Sequence, residues 1–217
     1  MKTIPKPFKK VPDLELLKTS FPPLKALFFD MDGTLFNTEG IHTDALLAIA
    51  LKYQIRPPHS PEVVHSLLVG KADHLLFDII KGWEGVPENW NVDDFIKEKN
   101  SNIIQLLLKT PLESYFQLEI KQLLNSARDN GLFIGLVTSS EKLVTTELLK
   151  ITGLSHVFDL ILTRDDCPKY KPDPWPYLKA SELSGFEKHE ILIFEDSHVG
   201  LEAASHTGSH VIKAEWY

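Results

Sequence analysis

The chain is poor in cysteine, lacks long apolar runs and has no excess of basic residues. Its 217 residues include a single cysteine, Cys167, which excludes an internal disulfide and favours a reducing compartment. No apolar run approaches the roughly 18–20 residues that a membrane-spanning helix needs. The formal net charge of −7 argues against nucleic acid as the main partner. We therefore expect a cytoplasmic protein that binds neither nucleic acid nor a membrane, and we expect it to be a monomer.

Short, almost continuous apolar runs predict the strands of a parallel sheet. Such runs suit strands that are covered on both faces, whereas half-exposed strands alternate apolar and polar residues. The segments between the later runs predict helices, two of which are closed by Gly131 and Gly153. This alternation predicts an α/β fold with a Rossmann-like parallel sheet. The expected strands are 24–30, 132–138, 159–163, 190–196 and 209–214, and the expected helices are 113–130, 141–152 and 174–185.

A long segment between the first two apolar runs contains only helical patterns. Apolar residues recur there at helical spacing, and prolines and Gly70 separate the predicted helices. We therefore expect an N-terminal extended arm, an α/β core and an inserted all-helical cap domain. The arm covers 1–23, the core covers 24–37 and 112–217, and the cap covers 38–111 with helices at 41–53, 61–68, 72–81 and 92–109.

Polar residues follow four of the predicted strands at matching ends of the sheet. Asp30 and Asp32 follow the first strand, and two carboxylates this close cost free energy unless a cation lies between them or one is protonated. Ligands of an open parallel sheet bind beyond the carboxyl ends of its strands, so we expect one site with a divalent metal. The other clusters are Thr138-Ser139-Ser140, Lys171 in the third loop, and Glu195-Asp196.

These groups suit phosphoryl transfer. A carboxylate such as Asp30 can attack phosphorus and form an acyl phosphate. The approach of two anions needs a hard cation such as Mg²⁺, for which Asp30 and Asp196 offer oxygen ligands. The hydroxyl of Thr138 and the ammonium of Lys171 can bind the phosphoryl oxygens. Asp32 can give a proton to the leaving oxygen and later take one from water.

The order and spelling of the clusters resemble the haloacid dehalogenase superfamily. Asp30-Met31-Asp32-Gly33-Thr34-Leu35 is similar to its first motif, DxDGT. Thr138, Lys171 and Glu195-Asp196 are similar to the second, third and fourth motifs. The helical insert resembles the small cap of the subgroup that contains β-phosphoglucomutase and many sugar-phosphate and nucleotide phosphatases.

The resemblance implies a role for each motif residue. Asp30 would be the nucleophile, and Asp32 would be the general acid and base, with its backbone carbonyl also on Mg²⁺. Thr138 and Lys171 would hold the phosphoryl group of a small phosphorylated metabolite. The implied metal ligands are Asp30, Asp32, Asp196 and Glu195, the last directly or through water, and the implied substrate contacts are Ser139, Lys71 and His42.

Three functions remain open at this point. The first is a Mg²⁺-dependent phosphatase of small phosphorylated metabolites that forms a phospho-aspartate. The second is a phosphomutase of the β-phosphoglucomutase type, and the choice depends on how well the closed cap excludes water. The third is a non-catalytic binding protein on the same fold, which the four intact motifs disfavour.

Local alternatives exist for two of the motifs. An Asp-Gly pair after an apolar run, as in Asp32-Gly33, also signals a hairpin turn. In the third loop, Lys169 competes with Lys171, and only the Lys-Pro-Asp-Pro context favours Lys171. We expect Cys167 to be an incidental loop thiol, because no motif places a histidine to activate it.

Overall fold

The structure, a computed structural model, describes residues 7–68 and 73–217. The chain forms two compact units. One consists of the residues up to Thr38 together with Leu112–Tyr217, and the other is Glu39–Pro111. All of the described strands belong to the first unit. Among the described residues, no helix is long and apolar enough to cross a membrane.

The first unit contains a sheet of six parallel strands. The strands are β1 (Pro7–Phe8), β2 (Ala26–Phe29), β3 (Phe133–Val137), β4 (Leu160–Leu162), β5 (Ile191–Glu195) and β6 (His210–Ala214). Their order across the sheet is β1-β6-β5-β2-β3-β4, and every pairing is parallel. The central strands β2 and β5 are buried along their whole length, which explains their continuous apolar sequence. The predicted α/β, Rossmann-like fold is confirmed.

The helices fall into two groups. Four of them, α2 to α5, form the second unit, and the others belong to the first. The described helices are α1 (Leu14–Ser20), α2 (Glu39–Tyr53), α3 (Pro61–Leu68), α4 (Asp73–Ile80), α5 (Val92–Lys109), α6 (Leu118–Asp129), α7 (Lys142–Ile151), α8 (Trp175–Ser184) and α9 (His198–Ser205).

The N-terminal segment differs from the predicted extended arm. The side chain of Asp13 caps α1 by accepting a hydrogen bond from the Leu16 backbone N–H at 2.8 Å. Leu14 and Leu17 of this helix are buried. β1 pairs with β6 at the edge of the sheet. The prolines of this segment favour extended backbone locally. The Asp13 cap and the apolar residues Leu14 and Leu17, three positions apart on one helix face, nevertheless favour a helix.

The helix predicted over 113–130 begins later than expected. Leu112–Ser114 forms a single 3₁₀ turn, and α6 starts at Leu118. Phe116, between the two, is buried and lies 5.2 Å from the ring of Phe36. The segment around Phe116 thus leaves the helical path where the ring is buried, and the helix starts after it.

The second unit is built around an apolar cluster from α2, α4 and α5. Phe95 is fully buried in this cluster. The ring of Trp90 lies 6.2 Å from that of Phe95 and 4.6 Å from that of Tyr53. A capping box formed by Asn91 and Asp94 starts α5. These contacts give the helical unit an apolar core of its own.

Candidate active site

The carboxyl ends of β2, β3 and β5 bring the predicted polar clusters together. Phe29 of β2 is paired with Phe194 of β5 on one side and with Leu136 of β3 on the other. The backbone N–H of Asp30 donates to the carbonyl of Phe194 at 3.0 Å. Glu195 is the last residue of β5. The parallel register therefore places the first and fourth clusters side by side.

Lys171 lies between two carboxylates of this cluster. Its Nζ is 2.5 Å from Asp30 Oδ1 and 2.5 Å from Glu195 Oε1, and it also donates to the carbonyl of Val137 at 3.0 Å. Three acceptors match the three hydrogens of an ammonium group. The side chain of Lys171 is only 4% exposed, so the amine is fixed in one position.

The competing lysine of the same loop lies elsewhere. The side chain of Lys169 is 62% exposed, and its Nζ pairs with Asp173 at 3.2 Å. The structure therefore places Lys171, and not Lys169, beside the first aspartate.

The pKa values in the cluster reflect crowded buried charges. Burial raises the pKa of Asp30 well above its ordinary value, although Lys171 opposes the rise. Burial acts to lower the pKa of Lys171, but Asp30 and Glu195 outweigh it and the pKa is raised, so the amine stays protonated. Burial and the charge of Glu195 raise the pKa of Asp196 to about 6. Lys171 alone therefore does not balance these carboxylates.

The cluster fits a divalent cation. Asp30, Glu195 and Asp196 each offer an oxygen, and these oxygens lie within 4.8 Å of one another. Three carboxyl groups lie beside the ammonium of Lys171, so the cluster can carry an excess of up to two negative charges, three minus one. A donor set made only of oxygens suits a hard ion such as Mg²⁺. The residues present are thus those that the predicted metal needs.

Tyr177 is a member of the cluster that the sequence does not predict. Its hydroxyl donates to Oε1 of the fully buried Glu195 at 2.7 Å. The hydroxyl of Ser197 donates to Oε2 of the same carboxylate at 3.2 Å. Burial and the charge of Glu195 raise the pKa of Tyr177, so the phenol keeps the proton that it donates. No local pattern marks this tyrosine, because its contact depends on how α8 packs.

Asp32 is held by two hydroxyl groups. Thr38 Oγ1 donates to its Oδ1 at 2.5 Å, and Ser140 Oγ donates to its Oδ2 at 2.5 Å. Both side-chain oxygens of Asp32 thus have protein donors. The predicted contact of its backbone carbonyl with the metal stays a prediction. Thr38 was missed from the sequence. Ser140 belongs to the predicted Thr138-Ser139-Ser140 cluster, in which the sequence resemblance implies Ser139 as the substrate contact.

The remaining predicted residues are placed as follows. Thr138 is buried at the end of β3, and its Oγ1 accepts the Ser140 backbone N–H at 3.0 Å. Ser139 is exposed. His42 lies in the first turns of α2, in the helical unit. Lys71 lies outside the described residues. Substrate contacts by these side chains stay predictions.

Two glycines are required by the close approach of the carboxylates. A Cβ at Gly200 would lie 2.0 Å from the carboxylate oxygens of Glu195, and one at Gly33 would lie 2.1 Å from Asp196 Oδ2. Gly33 also has φ +83, a conformation that costs side-chain-bearing residues free energy. Glu195 can lie this close to Gly200, and Asp196 this close to Gly33, only because these two positions lack side chains.

We expect Gly200→Ala to destabilise the protein by about 1–3 kcal/mol, because the added methyl must displace a buried carboxylate. Elsewhere in a helix the same change is favourable by up to about 1 kcal/mol. Gly40→Ala in α2 is the matched control, since a Cβ there meets nothing within 4 Å. Urea denaturation of both variants measures the difference. Equal effects of the two substitutions would contradict the packing argument.

Cys167 carries no sign of reactivity. It is 6% exposed, and burial together with the charge of Asp166 raises its pKa to about 11. The thiol is therefore protonated at neutral pH and is a poor nucleophile.

Comparison with known proteins identifies the family. The sequence profile of the haloacid dehalogenase-like hydrolases matches residues 27–214, and the chain belongs to this family of enzymes. A phosphoglycolate phosphatase of Thiobacillus denitrificans is 31% identical over 198 residues, which cover 88% of this chain and 84% of that protein. A phosphorylated carbohydrates phosphatase of Thermotoga maritima is 27% identical over 189 residues, which cover 85% of this chain and 82% of that protein.

Solved structures show the same fold. CbbY from Rhodobacter sphaeroides, crystallised in complex with phosphate, superposes with a TM-score of 0.76 at 22% identity, covering 87% of this chain and 84% of that chain. The prediction of a haloacid dehalogenase-like enzyme from its four motifs is confirmed.

Proposed function

We propose that this protein is a Mg²⁺-dependent phosphatase of small phosphorylated metabolites that works through a phospho-aspartate on Asp30. The observation that carries the proposal is the buried Lys171 ammonium, 2.5 Å from Asp30 and beside an oxygen cluster that fits a divalent cation. The phosphatases among the relatives support the same class of reaction. A cytoplasmic location and a monomeric state are part of the proposal.

Asp30 is the proposed nucleophile. One of its oxygens forms a bond to phosphorus while the bond from phosphorus to the leaving oxygen breaks, and water later cleaves the acyl phosphate. Mg²⁺ held by Asp30, Asp196, the backbone carbonyl of Asp32 and, directly or through water, Glu195 would neutralise charge between the two reacting anions. Lys171 adds a fixed positive charge beside the phosphoryl oxygens.

Asp32 is the proposed general acid and base. It gives its proton to the leaving oxygen in the first step and takes one from the attacking water in the second. The hydroxyls of Thr38 and Ser140 hold its carboxylate in one orientation. Because a hydroxyl can donate or accept, the same two partners can serve Asp32 in both protonation states.

The phosphoryl group and the rest of the substrate need further contacts. Thr138 is proposed to bind a phosphoryl oxygen from the end of β3, with Ser139 beside it. Lys71 and His42 are proposed to contact the remainder of the metabolite. The relatives' substrates, phosphoglycolate and phosphorylated carbohydrates, are the first compounds to test.

A panel of phosphate esters tests the function. We expect Mg²⁺-dependent release of phosphate from at least one of phosphoglycolate, the hexose and pentose monophosphates and the nucleoside monophosphates, measured by a colorimetric phosphate assay. EDTA should stop the release and added Mg²⁺ should restore it. Release that is unchanged in EDTA would contradict the metal site. No turnover on the whole panel would favour a non-catalytic binding protein.

The phosphomutase alternative is separated by a second assay. The protein is incubated with β-glucose 1-phosphate and a trace of the bisphosphate, and the products are followed by phosphorus NMR. A phosphatase produces inorganic phosphate from the phosphoenzyme, because water is the acceptor. Accumulation of the isomeric glucose 6-phosphate without inorganic phosphate would establish the mutase instead.

A further inference from the structure

Two aromatic residues that follow β6 donate hydrogen bonds to the backbone of residues 31–36, here called the first-motif loop. The indole Nε1–H of Trp216 donates to the carbonyl of Thr34 at 2.8 Å. The hydroxyl of Tyr217 donates to the carbonyl of Leu35 at 2.8 Å. Both contacts span 182 positions of sequence, so they fix this loop from a distant part of the chain.

The loop needs these donors because it is buried. Its own hydrogen bonds involve other groups: the N–H groups of Leu35 and Phe36 both donate to the carbonyl of Met31, and the Gly33 N–H donates to the carbonyl of Phe36. Thr34 and Leu35 are fully buried. A buried carbonyl without a donor costs free energy, so loss of the indole N–H would leave the Thr34 carbonyl to find a partner by moving.

Movement of Thr34 would change the position of the Asp196 carboxylate. The hydroxyl of Thr34 donates to Asp196 Oδ1 at 3.0 Å. On the other side, the Cα of Gly33 approaches Asp196 so closely that a methyl there would overlap Oδ2. Two adjacent residues of the loop therefore set the orientation of the Asp196 carboxylate.

The segment that carries Trp216 is itself held firmly. The side-chain amide of Gln117 donates to the Trp216 carbonyl at 2.8 Å. The indole ring lies 6.1 Å from the ring of Phe194 in β5, and Trp216 is 9% exposed. The indole is thus anchored to the sheet and serves as a fixed donor to the loop.

We propose that Trp216, supported by Tyr217, is a positioning residue that orients Asp196 for divalent-cation binding through Thr34. The inference rests on the proposed function, because Asp196 is taken there as a metal ligand. Trp216 is not among the residues that offer an oxygen to the cation. Its effect passes along one chain of contacts, from the indole N–H to the Thr34 carbonyl and from the Thr34 hydroxyl to the Asp196 carboxylate.

Titration of the full chain with Mn²⁺ tests this chain of contacts without use of the activity. The free Mn²⁺ signal in electron paramagnetic resonance gives the Kd. Trp216→Phe keeps an aromatic ring but removes the N–H, and we expect its Kd to rise about 5- to 10-fold, as for the loss of one hydrogen bond. Thr34→Val should have an effect of similar size, whereas Thr34→Ser, which keeps the hydroxyl, should bind like the unsubstituted protein.

The double variant Thr34→Val/Trp216→Phe separates positioning from general stability. If Trp216 acts through the Thr34 hydroxyl, the double variant binds Mn²⁺ no more weakly than Thr34→Val alone. Fully additive effects would overturn the inference. Trp83→Phe, in the helical unit, is the matched indole control and should leave the Kd unchanged. Should Trp216→Phe not fold, Tyr217→Phe replaces it, with an expected rise of about 3-fold.

The outcomes for the inference and for the proposed function are distinct. Normal Mn²⁺ binding by Trp216→Phe, whatever its loss of thermal stability, overturns the inference alone. Absence of Mn²⁺ binding in the unsubstituted protein, or normal binding by Asp196→Asn, overturns the proposed metal site and the inference with it.

Discussion

We expect Asp30→Asn to abolish turnover, with kcat lowered by at least about a thousandfold, because an amide oxygen is too weak a nucleophile to form the proposed acyl phosphate. The substitution also removes one of the three carboxylates that could offer an oxygen to the proposed cation. The measurement is phosphate release from the best ester of the panel, at saturating Mg²⁺. Persistent Mg²⁺-dependent hydrolysis by this variant would falsify the nucleophile role of Asp30.

A matched control variant and chemical trapping of the phosphoenzyme show whether the loss of activity is specific to Asp30. Asp129→Asn changes an exposed carboxylate at the end of α6 and should leave kcat unchanged. Acid quenching during turnover of a substrate labelled in its phosphoryl group should trap labelled protein that hydroxylamine cleaves, as expected of an acyl phosphate. Label that is retained by Asp30→Asn would place the intermediate on another residue.

Lys171→Met is expected to lower both activity and stability. Removal of the ammonium leaves Asp30 and Glu195 buried without their counter-charge, and breaking a buried pair in this way costs about 3–5 kcal/mol. We expect kcat to fall by about 10²–10³, as for the loss of one fixed charge at a reacting oxyanion. Urea denaturation at pH 8 in EDTA measures the stability, and phosphate release at saturating Mg²⁺ measures the activity.

The stability lost in Lys171→Met should depend on pH. Burial already raises the pKa of Asp30, with Lys171 as the largest opposing effect, so the pKa of Asp30 rises further without the lysine. A carboxyl group whose pKa is higher in the folded than in the unfolded state stabilises the fold below its unfolded pKa, and this stabilisation is lost as the pH rises through the folded pKa. The deficit relative to the unsubstituted protein is therefore larger at pH 8 than at pH 5.

Lys169→Met provides the control for this experiment. Its side chain is 62% exposed and pairs with Asp173 outside the cluster, so we expect a change within about 0.5 kcal/mol and no dependence on pH. A deficit in Lys171→Met that is the same at pH 5 and pH 8 would show that the charge of Asp30 does not depend on this lysine.

The sequence predicts the core well because its signals are local. Apolar runs such as 24–30 and 190–196 encode strands that are covered on both faces, and Gly131 and Gly153 stop the helices between them. The motif residues lie at strand ends, and a parallel sheet brings those ends to one edge whatever the detailed packing. The N-terminal arm was predicted less well, since the prolines of the segment outweighed the helix signal that begins at Asp13.

Other features depend on contacts between distant positions. In the third loop, the Lys-Pro-Asp-Pro context already favours Lys171 over Lys169 in the sequence. For Ser139 and Ser140 in one turn no such context exists, and two serines so close together cannot be separated by a local pattern. The fold buries Lys171 against Asp30 and turns Ser140 toward Asp32. The contact of Tyr177 with Glu195 requires α8 to be packed on the sheet.

The sequence by itself therefore determined the parallel sheet, the helical insert and the family to which the four motifs belong, because each follows from short-range patterns. Only the tertiary structure decided which serine enters the cluster, and that Trp216 binds the first-motif loop. These choices depend on which buried donors meet which buried acceptors. That matching is fixed when the chain packs, and it is not encoded in the spacing of any one segment.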